Sequence, residues 1–395
     1  MIPLLPEVHK GNEGHSAVPG TMISSIQIDG YRGFKQFEMS DLGRVNLLVG
    51  TNNSGKTSVL EAIDLLTSRG DPVSLWDVLM RRGETLSAMF SLASPGAREQ
   101  LEEADVSHLF TGHEAHIGAK FALKATNEFP ERSVEFTVVE PSHEERREVF
   151  GPEEDGSLSS RLALQIKGEP APRAPMLPLS RSGGLNLHTV DNRTRWRESD
   201  GRPSQLITTD SLSGRQLIAF WDNIALTSSE ELVLKALRFL DPDIERIAPQ
   251  SGTRHSYFGA TPRPGGFLVK RSGVDQPTPI GSMGDGMWRM LVMAIAITQC
   301  KGGVLLVDEI DTGLHYTVMA DMWRLIFGAA KALDVQVFAT THSFDCIQSL
   351  ASVCVSDTDT ENTVTLQRVE AGKAKAVPYS ENEIQVAAER NIEVR

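Results

Sequence analysis

Disulfide chemistry is excluded first. The 395-residue chain has only three cysteines, Cys300, Cys346 and Cys354, and none sits in a CxxC or Cys/His spacing. They make no disulfide framework, and a reducing, cytoplasmic compartment is the expectation. Long apolar runs are also missing. The stretch from Leu291 to Ile297 is the longest and is far too short to cross a bilayer, so no membrane partner is expected. Met1–Gly20 shows no basic end followed by an apolar run, so no secretory signal is expected. Positive charge is in deficit. Lys and Arg number 39 against 52 Asp and Glu, a formal net charge of −13. That argues against a whole-surface nucleic-acid coat, which needs clustered Lys and Arg. No internal repeat and no sustained heptad pattern occurs. What is present is ordinary for a globular protein, with 40% hydrophobic and 23% charged residues. The length suits two or three domains, or one large core with an insertion.

Periodicity places the elements. Residues 1–21 hold Pro and Gly with little pattern and read as a flexible tail. Ile23–Asp29 alternates like a strand, and Phe34–Met39 reads as its hairpin partner. Val45–Val49 is a short buried strand, followed after a Gly-rich stretch by a helix over Ser58–Thr67. Asp77–Glu103 reads as helical with breaks at Gly83 and Ser94–Gly96. Ala119–Lys124 and Ser133–Glu140 read as exposed strands, and Leu162–Ile166 as another. Acids crowd Glu128–Asp155, and Glu169–Pro178 reads as a Pro-rich linker. Helices are expected over 211–240, the second opened by Ser228 and Glu231 in capping-box spacing. Met283–Thr298 reads as a buried helix, Val304–Val307 as a buried strand and Tyr316–Leu333 as an amphipathic helix. Val335–Ala339 is a further apolar strand. A hairpin (Val364–Val369 and Ala374–Pro378) and a last helix (Glu381–Asn391) close the chain.

Four motifs carry chemistry. Gly50, Thr51, Asn52, Asn53, Ser54, Gly55, Lys56 and Thr57 fit G-x-x-x-x-G-K-[ST] between a buried strand and a helix. Glycines let backbone N–H groups curl around phosphate oxygens at a helix N-terminus. Lys56 reaches the β and γ phosphates in that reading, and Thr57 holds Mg²⁺. The Val304–Val307 strand then delivers Asp308 and Glu309 together. Asp308 is the expected metal ligand, and Glu309 the group that orients and deprotonates the attacking water. Ser282, Met283, Gly284 and Asp285 precede the buried helix and suit an anion cradle. Thr340, Thr341, His342 and Ser343 end the Val335 strand, where a histidine can meet a γ-phosphate.

In this order the four motifs resemble the ABC-type ATPase family. The opening, Ile26 through Arg32, Phe34 and Lys35, looks like the first strands of its SMC/RecF/OLD branch. Phe220–Ile224 and Leu240–Ile247 are similar to a segment of OLD-like, AAA-family ATPases. The resemblance implies an α/β P-loop NTPase of ABC-ATPase type, with an N-terminal antiparallel β-subdomain and a mixed helical and β insertion. The ATPase core is then split over 22–70 and 275–395, around an insertion at 71–274. It implies ATP and Mg²⁺ as cofactors, with Ser58 and Arg32 near the nucleotide. It also implies Lys56, Glu309 and His342 as catalytic groups. Two protomers would sandwich ATP head to tail, in a homodimer or higher homo-oligomer. Ser282, Gly284, Asp285 and the D-loop aspartate Asp311 would then act in trans. Met283 departs from the family's glycine, and no Q-loop glutamine is assignable. Stand-alone relatives work with a separately encoded effector, a nuclease or toxin, in anti-phage defence or DNA repair. The stretch after Ser343 is short for a Toprim domain and Asp357 and Asp359 read as a polar turn, so no nuclease activity is expected here.

Other classes fit less well. A transporter ATPase subunit should carry L-S-G-G-Q and a clear Q-loop, and an AAA+ remodeller a helical lid with arginine-finger signals. A scaffold that binds ATP without hydrolysis is disfavoured by intact Lys56, Asp308 and Glu309. A RecF-like repair ATPase without a toxic effector is the alternative, and local charge bears on it. Arg161, Lys167, Arg173, Arg181, Arg193, Arg195, Arg197 and Arg202 outnumber the nearby acids, and Arg254, Arg263, Lys270 and Arg271 lie in an acid-free stretch with His255. These segments suit a local contact with DNA or an acidic partner. Neutralising Arg193, Arg195 and Arg197 together should lower DNA retention in a filter-binding assay, and equal retention by both proteins would remove the DNA reading.

Overall fold

A computed structural model describes residues 22–91, 98–126, 132–150, 159–169, 175–180, 182–186, 202–209, 212–250, 266–356, 363–390 and 392. The flexible-tail reading of 1–21 and the polar turn at Asp357 and Asp359 lie outside them. So do Arg173, Arg181, Arg193, Arg195, Arg197, Arg254, His255 and Arg263.

Two sheets enclose one helix. The first is antiparallel, in the order β2-β1-β6-β7-β8-β9-β10-β5-β4. Its strands are β1 (Ser25–Tyr31), β2 (Phe34–Met39), β4 (Thr85–Ser91), β5 (Arg98–Asp105), β6 (Lys120–Thr126), β7 (Arg132–Val139), β8 (Ser159–Glu169), β9 (Met176–Ser180) and β10 (Gly184–Asn186). The second holds β3 (Val45–Val49), β11 (Ser204–Ile207), β15 (Val304–Val307), β16 (Gln336–Thr340), β17 (Val364–Arg368) and β18 (Val377–Ser380), in the order β11-β15-β16-β3-β17-β18. All its pairings are parallel except β17 with β18. A small third sheet joins β12 (Ile244–Gln250), β13 (Gly266–Arg271) and β14 (Thr278–Pro279). The helices are α1 (Lys56–Thr67), α2 (Pro72–Arg81), α3 (His143–Phe150), α4 (Gly214–Ile224), α5 (Ser228–Arg238), α6 (Asp285–Gln299), α7 (Tyr316–Leu333), α8 (Phe344–Ser356) and α9 (Glu381–Glu389).

The strand period of two sorts side chains onto two cores. On β3, Leu47 and Val49 join the core formed with α6, α7 and α8, while Leu48 joins the core formed by α1 and the antiparallel sheet. Parallel strands covered on both faces read as unbroken apolar runs, as Val304–Val307 does. Between the sheets α1 is enclosed all round, and every residue from Ser58 to Thr67 is buried. This is an α/β fold in which a mainly parallel sheet and an antiparallel sheet pack on either side of α1.

Several sequence expectations change in detail. Residues 85–103 are not helical. The helix stops at Arg81, Gly83 turns the chain at φ 66°, and β4 pairs with β5. The strands β6 and β7 lie inside the sheet rather than exposed, and each buries one face (Phe121, Leu123; Val134, Phe136). Thr227, not Ser228, caps α5, its side chain accepting from the Ser229 N–H. The strand β11, just before the expected helices, is an addition to the elements read from the sequence. Backbone pairing also runs across the expected boundaries at 70 and 275, because β1 pairs with β6 and β11 pairs with β15. Among the described residues no helix is long and apolar enough to cross a membrane.

One buried carboxyl on α1 gives a pH test. Asp64 is 6% exposed and accepts a hydrogen bond from Ser204 Oγ at 3.0 Å. Burial raises its pKa to about 6, against the opposing pull of Arg81. Below about pH 4 the group is neutral in both folded and unfolded chains and costs nothing. As pH rises toward 6 the unfolded chain ionises first, and stability falls by at most roughly 3 kcal/mol. Asp64→Asn keeps the acceptor for Ser204. It should therefore melt higher than wild type at pH 7.5, and the gap should close near pH 4 by differential scanning fluorimetry.

Candidate functional site

Four parallel strands end along one edge and deliver the site. β3 runs into Gly50–Lys56, β15 into Asp308 and Glu309, β16 into Thr340–Ser343, and β11 into Thr208 and Thr209. Ligands of open α/β sheets bind at such carboxyl-end edges. The cleft there measures about 850 Å³ and is lined by Asn52–Ser58 together with Gln205, Gln216, Asp308, Glu309 and Thr340. That lies in the usual ~300–1,000 Å³ range of small-molecule sites.

The phosphate loop is constrained from below. Gly55 has φ 100°, and a β-carbon there would meet the Phe34 ring at 2.4 Å. A β-carbon at Gly50 would meet the Val369 carbonyl oxygen at 2.2 Å. Both positions therefore need glycine. The Ser54 hydroxyl is buried at the loop and has no hydrogen-bond partner among the described residues, as befits a donor meant for an anion. Lys56 Nζ donates to the carbonyls of Gly50 at 2.8 Å and Thr51 at 3.0 Å. Burial lowers its pKa, and Asp308 and Glu309 oppose that shift.

Two hydroxyls converge on Asp308. Thr57 Oγ1 lies 3.2 and 3.0 Å from its two carboxylate oxygens, and Thr340 Oγ1 donates to Oδ1 at 2.6 Å. The Thr340 oxygen also accepts the Glu309 N–H at 2.8 Å. Glu309 sits at φ 47°, a left-handed conformation uncommon for a side chain that is not Gly or Asn. Arg289 of α6, only 3% exposed, donates to the carbonyls of Thr208, Asp308 and Glu309 and clamps the same turn from the other side. Thr312 Oγ1 reaches Glu309 Oε2 at 3.3 Å, and His342 Nδ1 stands 3.5 Å from Glu309 Oε1. Thr341 Oγ1 holds Asp311 at 2.6 Å. The Thr57 hydroxyl and Asp308 carboxylate are hard oxygen donors of the kind Mg²⁺ takes.

The structure thus brings together Lys56, Thr57, Asp308, Glu309 and His342. It keeps Ser282, Gly284 and Asp285 out of the cleft lining, exposed at the start of α6, where Asp285 packs beside Gly313. Arg32 departs from expectation. It is 6% exposed, paired with Glu84 through both terminal nitrogens (2.6 and 3.1 Å) and with Glu61 through Nε (2.9 Å). Its charge is spent behind the cleft wall rather than in the cleft. Reading the sequence missed Gln205, Thr208, Gln216 and Arg289, and named Thr340 only as part of the histidine motif, without a role. Only Thr340 carried a signal, as the polar residue closing an apolar strand. Of the basic segments, Arg271 lies 2.8 Å from Asp241 as an ion pair and keeps over a third of its side chain exposed.

A Gly-rich loop at a helix start, facing two carboxylates across parallel strand ends, defines a nucleoside triphosphate hydrolase of the P-loop class. Comparisons agree. The family described as "AAA ATPase domain" matches residues 22–161. The family "AAA domain, putative AbiEii toxin, Type IV TA system" matches residues 268–345. An "ATP/GTP phosphatase" of Helicobacter pylori is 21% identical over 361 residues, covering 84% of this chain and 88% of that protein. The "DNA replication and repair protein RecF" of Bacillus thuringiensis is 29% identical over 102 residues, 22% of this chain and 27% of that protein. Among solved structures, an SMC head bound to the C-winged helix domain of ScpA is 15% identical with a TM-score of 0.44, covering 91% of this chain and 97% of that one. The chain is a P-loop ATPase that carries matches to AAA-type ATPase domains.

The Thr340 hydroxyl has a measurable job. Thr340→Val keeps the shape but removes the acceptor of the Glu309 N–H and the shorter of the two hydrogen bonds to Asp308 Oδ1. The mutant should hydrolyse ATP with kcat roughly ten-fold lower and KM less affected. Steady-state kinetics check it, and an unchanged kcat would mean that the Arg289 clamp suffices.

Proposed function

We propose that the chain is an ATP-driven switch. Two copies close head to tail around ATP and Mg²⁺, separate after hydrolysis, and so control a separately encoded effector in the cytoplasm, in anti-phage defence or DNA repair. The observation that carries this reading is the separation of two half-sites. The cleft holds Lys56, Thr57, Asp308 and Glu309, while Ser282, Gly284 and Asp285 face solvent and are open to a second copy.

The chemistry then follows from the residues. Lys56 turns its ammonium to the β and γ phosphates, and the Ser54 hydroxyl gains the acceptor it lacks. Thr57 and Asp308 would hold Mg²⁺, which neutralises charge on the β and γ oxygens. Glu309 orients the attacking water and takes its proton, and His342 steadies that carboxylate from 3.5 Å. Ser282 and Gly284 of the second copy reach the γ-phosphate from the other side, with Asp285 and Asp311 nearby. Loss of that phosphate removes a contact shared by both copies, and the pair opens.

Glu309→Gln should bind ATP without cleaving it and accumulate as a dimer in sedimentation velocity. If that variant with ATP associates no more tightly than wild type without ATP, the sandwich is wrong. The RecF match favours a second reading, a repair ATPase that contacts DNA directly. It requires ATP turnover to rise when DNA is added.

A further inference from the structure

Two histidines meet outside the cleft, in the connection between β5 and β6. His108 Nδ1 and His113 Nδ1 lie 3.2 Å apart, with the ring centroids at 5.2 Å and the rings edge-on at 61°. On the other side of its ring, His108 Nε2 lies 3.5 Å from Asp105 Oδ2. His108 keeps 40% of its side chain exposed and His113 is exposed, so solvent ions reach both rings. None of these three residues lines the nucleotide cleft.

The pair stands on well-anchored chain. Asp105 caps the single 3-10 turn Val106–Leu109 by accepting the Ser107 N–H on Oδ1 at 2.9 Å, which leaves Oδ2 for His108. Val106, Leu109 and Phe110 are buried, and the Phe110 ring packs edge-on against Phe121. The Arg32 N–H donates to the Leu109 carbonyl at 2.8 Å and the Thr111 N–H to the Gly30 carbonyl at 2.9 Å, pinning the loop to the opening hairpin. The chain then reverses through Gly112 at φ 93° and His113 at φ 59°, and the His113 N–H donates to the Phe110 carbonyl at 3.0 Å. A left-handed backbone is uncommon away from glycine. Here it accompanies the return of the His113 ring to His108.

Two imidazole nitrogens at this separation can share one proton or one metal ion. A metal ~2.0–2.1 Å from each would see them about 100° apart, between a square-planar and a tetrahedral ligand angle. The carboxylate behind His108 is the partner that metal-ligating histidines keep on their second nitrogen. With its proton on Nε2, toward Asp105, His108 presents the Nδ1 lone pair. His113 does the same once its proton sits on Nε2. Among the described residues no third His, Cys, Asp or Glu completes a cluster with them, so water fills the remaining positions. Imidazole donors suit Zn²⁺, Ni²⁺ and Cu²⁺, whereas Mg²⁺ takes hard oxygens. We propose that His108 and His113 bind a divalent transition-metal ion of this class, with Asp105 orienting His108. The competing arrangement is a His–His hydrogen bond that takes no ligand. The site is independent of the ATP reading.

The test is isothermal titration of Zn²⁺ into the full chain without an affinity tag, stripped of metal by a chelator and held in Mg²⁺ so that hard oxygen sites are filled. Wild type should bind one Zn²⁺, and His108→Gln and His113→Gln should each weaken that event roughly ten-fold or more. Asp105→Asn, which can still accept the Ser107 N–H, should weaken it by less than either. His116→Gln, at a neighbouring exposed histidine, should bind as wild type does. The proposal is overturned if wild type shows no saturable event. It is overturned equally if the double variant His108→Gln, His113→Gln takes up Zn²⁺ as wild type does, because binding would then lie elsewhere in the chain. Should a variant lack the wild-type melt, electron paramagnetic resonance of wild type with one equivalent of Cu²⁺ decides. Coupling to two imidazole nitrogens upholds the pair, and coupling to a single one or to none overturns it.

Discussion

Three segments far apart in the chain meet on the Asp308 carboxylate. Thr57 comes from the loop after β3, Thr340 from the end of β16, and Asp308 itself from the end of β15. Hydrogen bonds to a charged acceptor contribute about 1.5–3 kcal/mol each. These also fix the registers of three strand ends against one another. The phosphate loop is thereby held at a set distance from Glu309, and the left-handed turn at Glu309 is tolerated because Thr340 and Arg289 hold both of its faces. Parallel pairing makes this possible, since only parallel neighbours present all their carboxyl ends on one side.

The core of this arrangement was legible in the sequence because each part is local. Gly50–Thr57 is contiguous, and Val304–Val307 followed by Asp308 and Glu309 is contiguous. Buried parallel strands also betray themselves as short apolar runs. Less local features were hidden. The strand β11 has four residues, Ser-Gln-Leu-Ile, whose polar first half gives no run. It becomes a strand only because β15 offers it an edge. The hairpin of β4 and β5 was read as helix because its strand period is masked by Glu and Gln. Arg32 looked available because a sequence shows a charge but not its partners, and Glu61 and Glu84 lie well downstream of it.

Charge was equally misleading in bulk. A net charge of −13 describes the chain as a whole, yet the cleft gathers Lys56, Arg81 and Arg82 beside Glu61, Asp77, Asp308 and Glu309. Which of these are spoken for is decided pair by pair. Elsewhere in the chain Arg32 is buried and paired with Glu61 and Glu84, Arg271 stands beside Asp241, and Asp64 is desolvated within α1 itself.

The Phe34 ring occupies the place that a side chain on residue 55 would need. Seen as heredity, the two positions form a single character. Gly55 cannot drift while the ring is there, and the ring cannot be traded for something that grips the loop differently without changing how the loop sits. The hairpin that opens the chain is therefore not an ornament grafted onto a nucleotide engine. It is the anvil of the loop, and swapping the antiparallel sheet for one from another relative would carry the loop's geometry along with it.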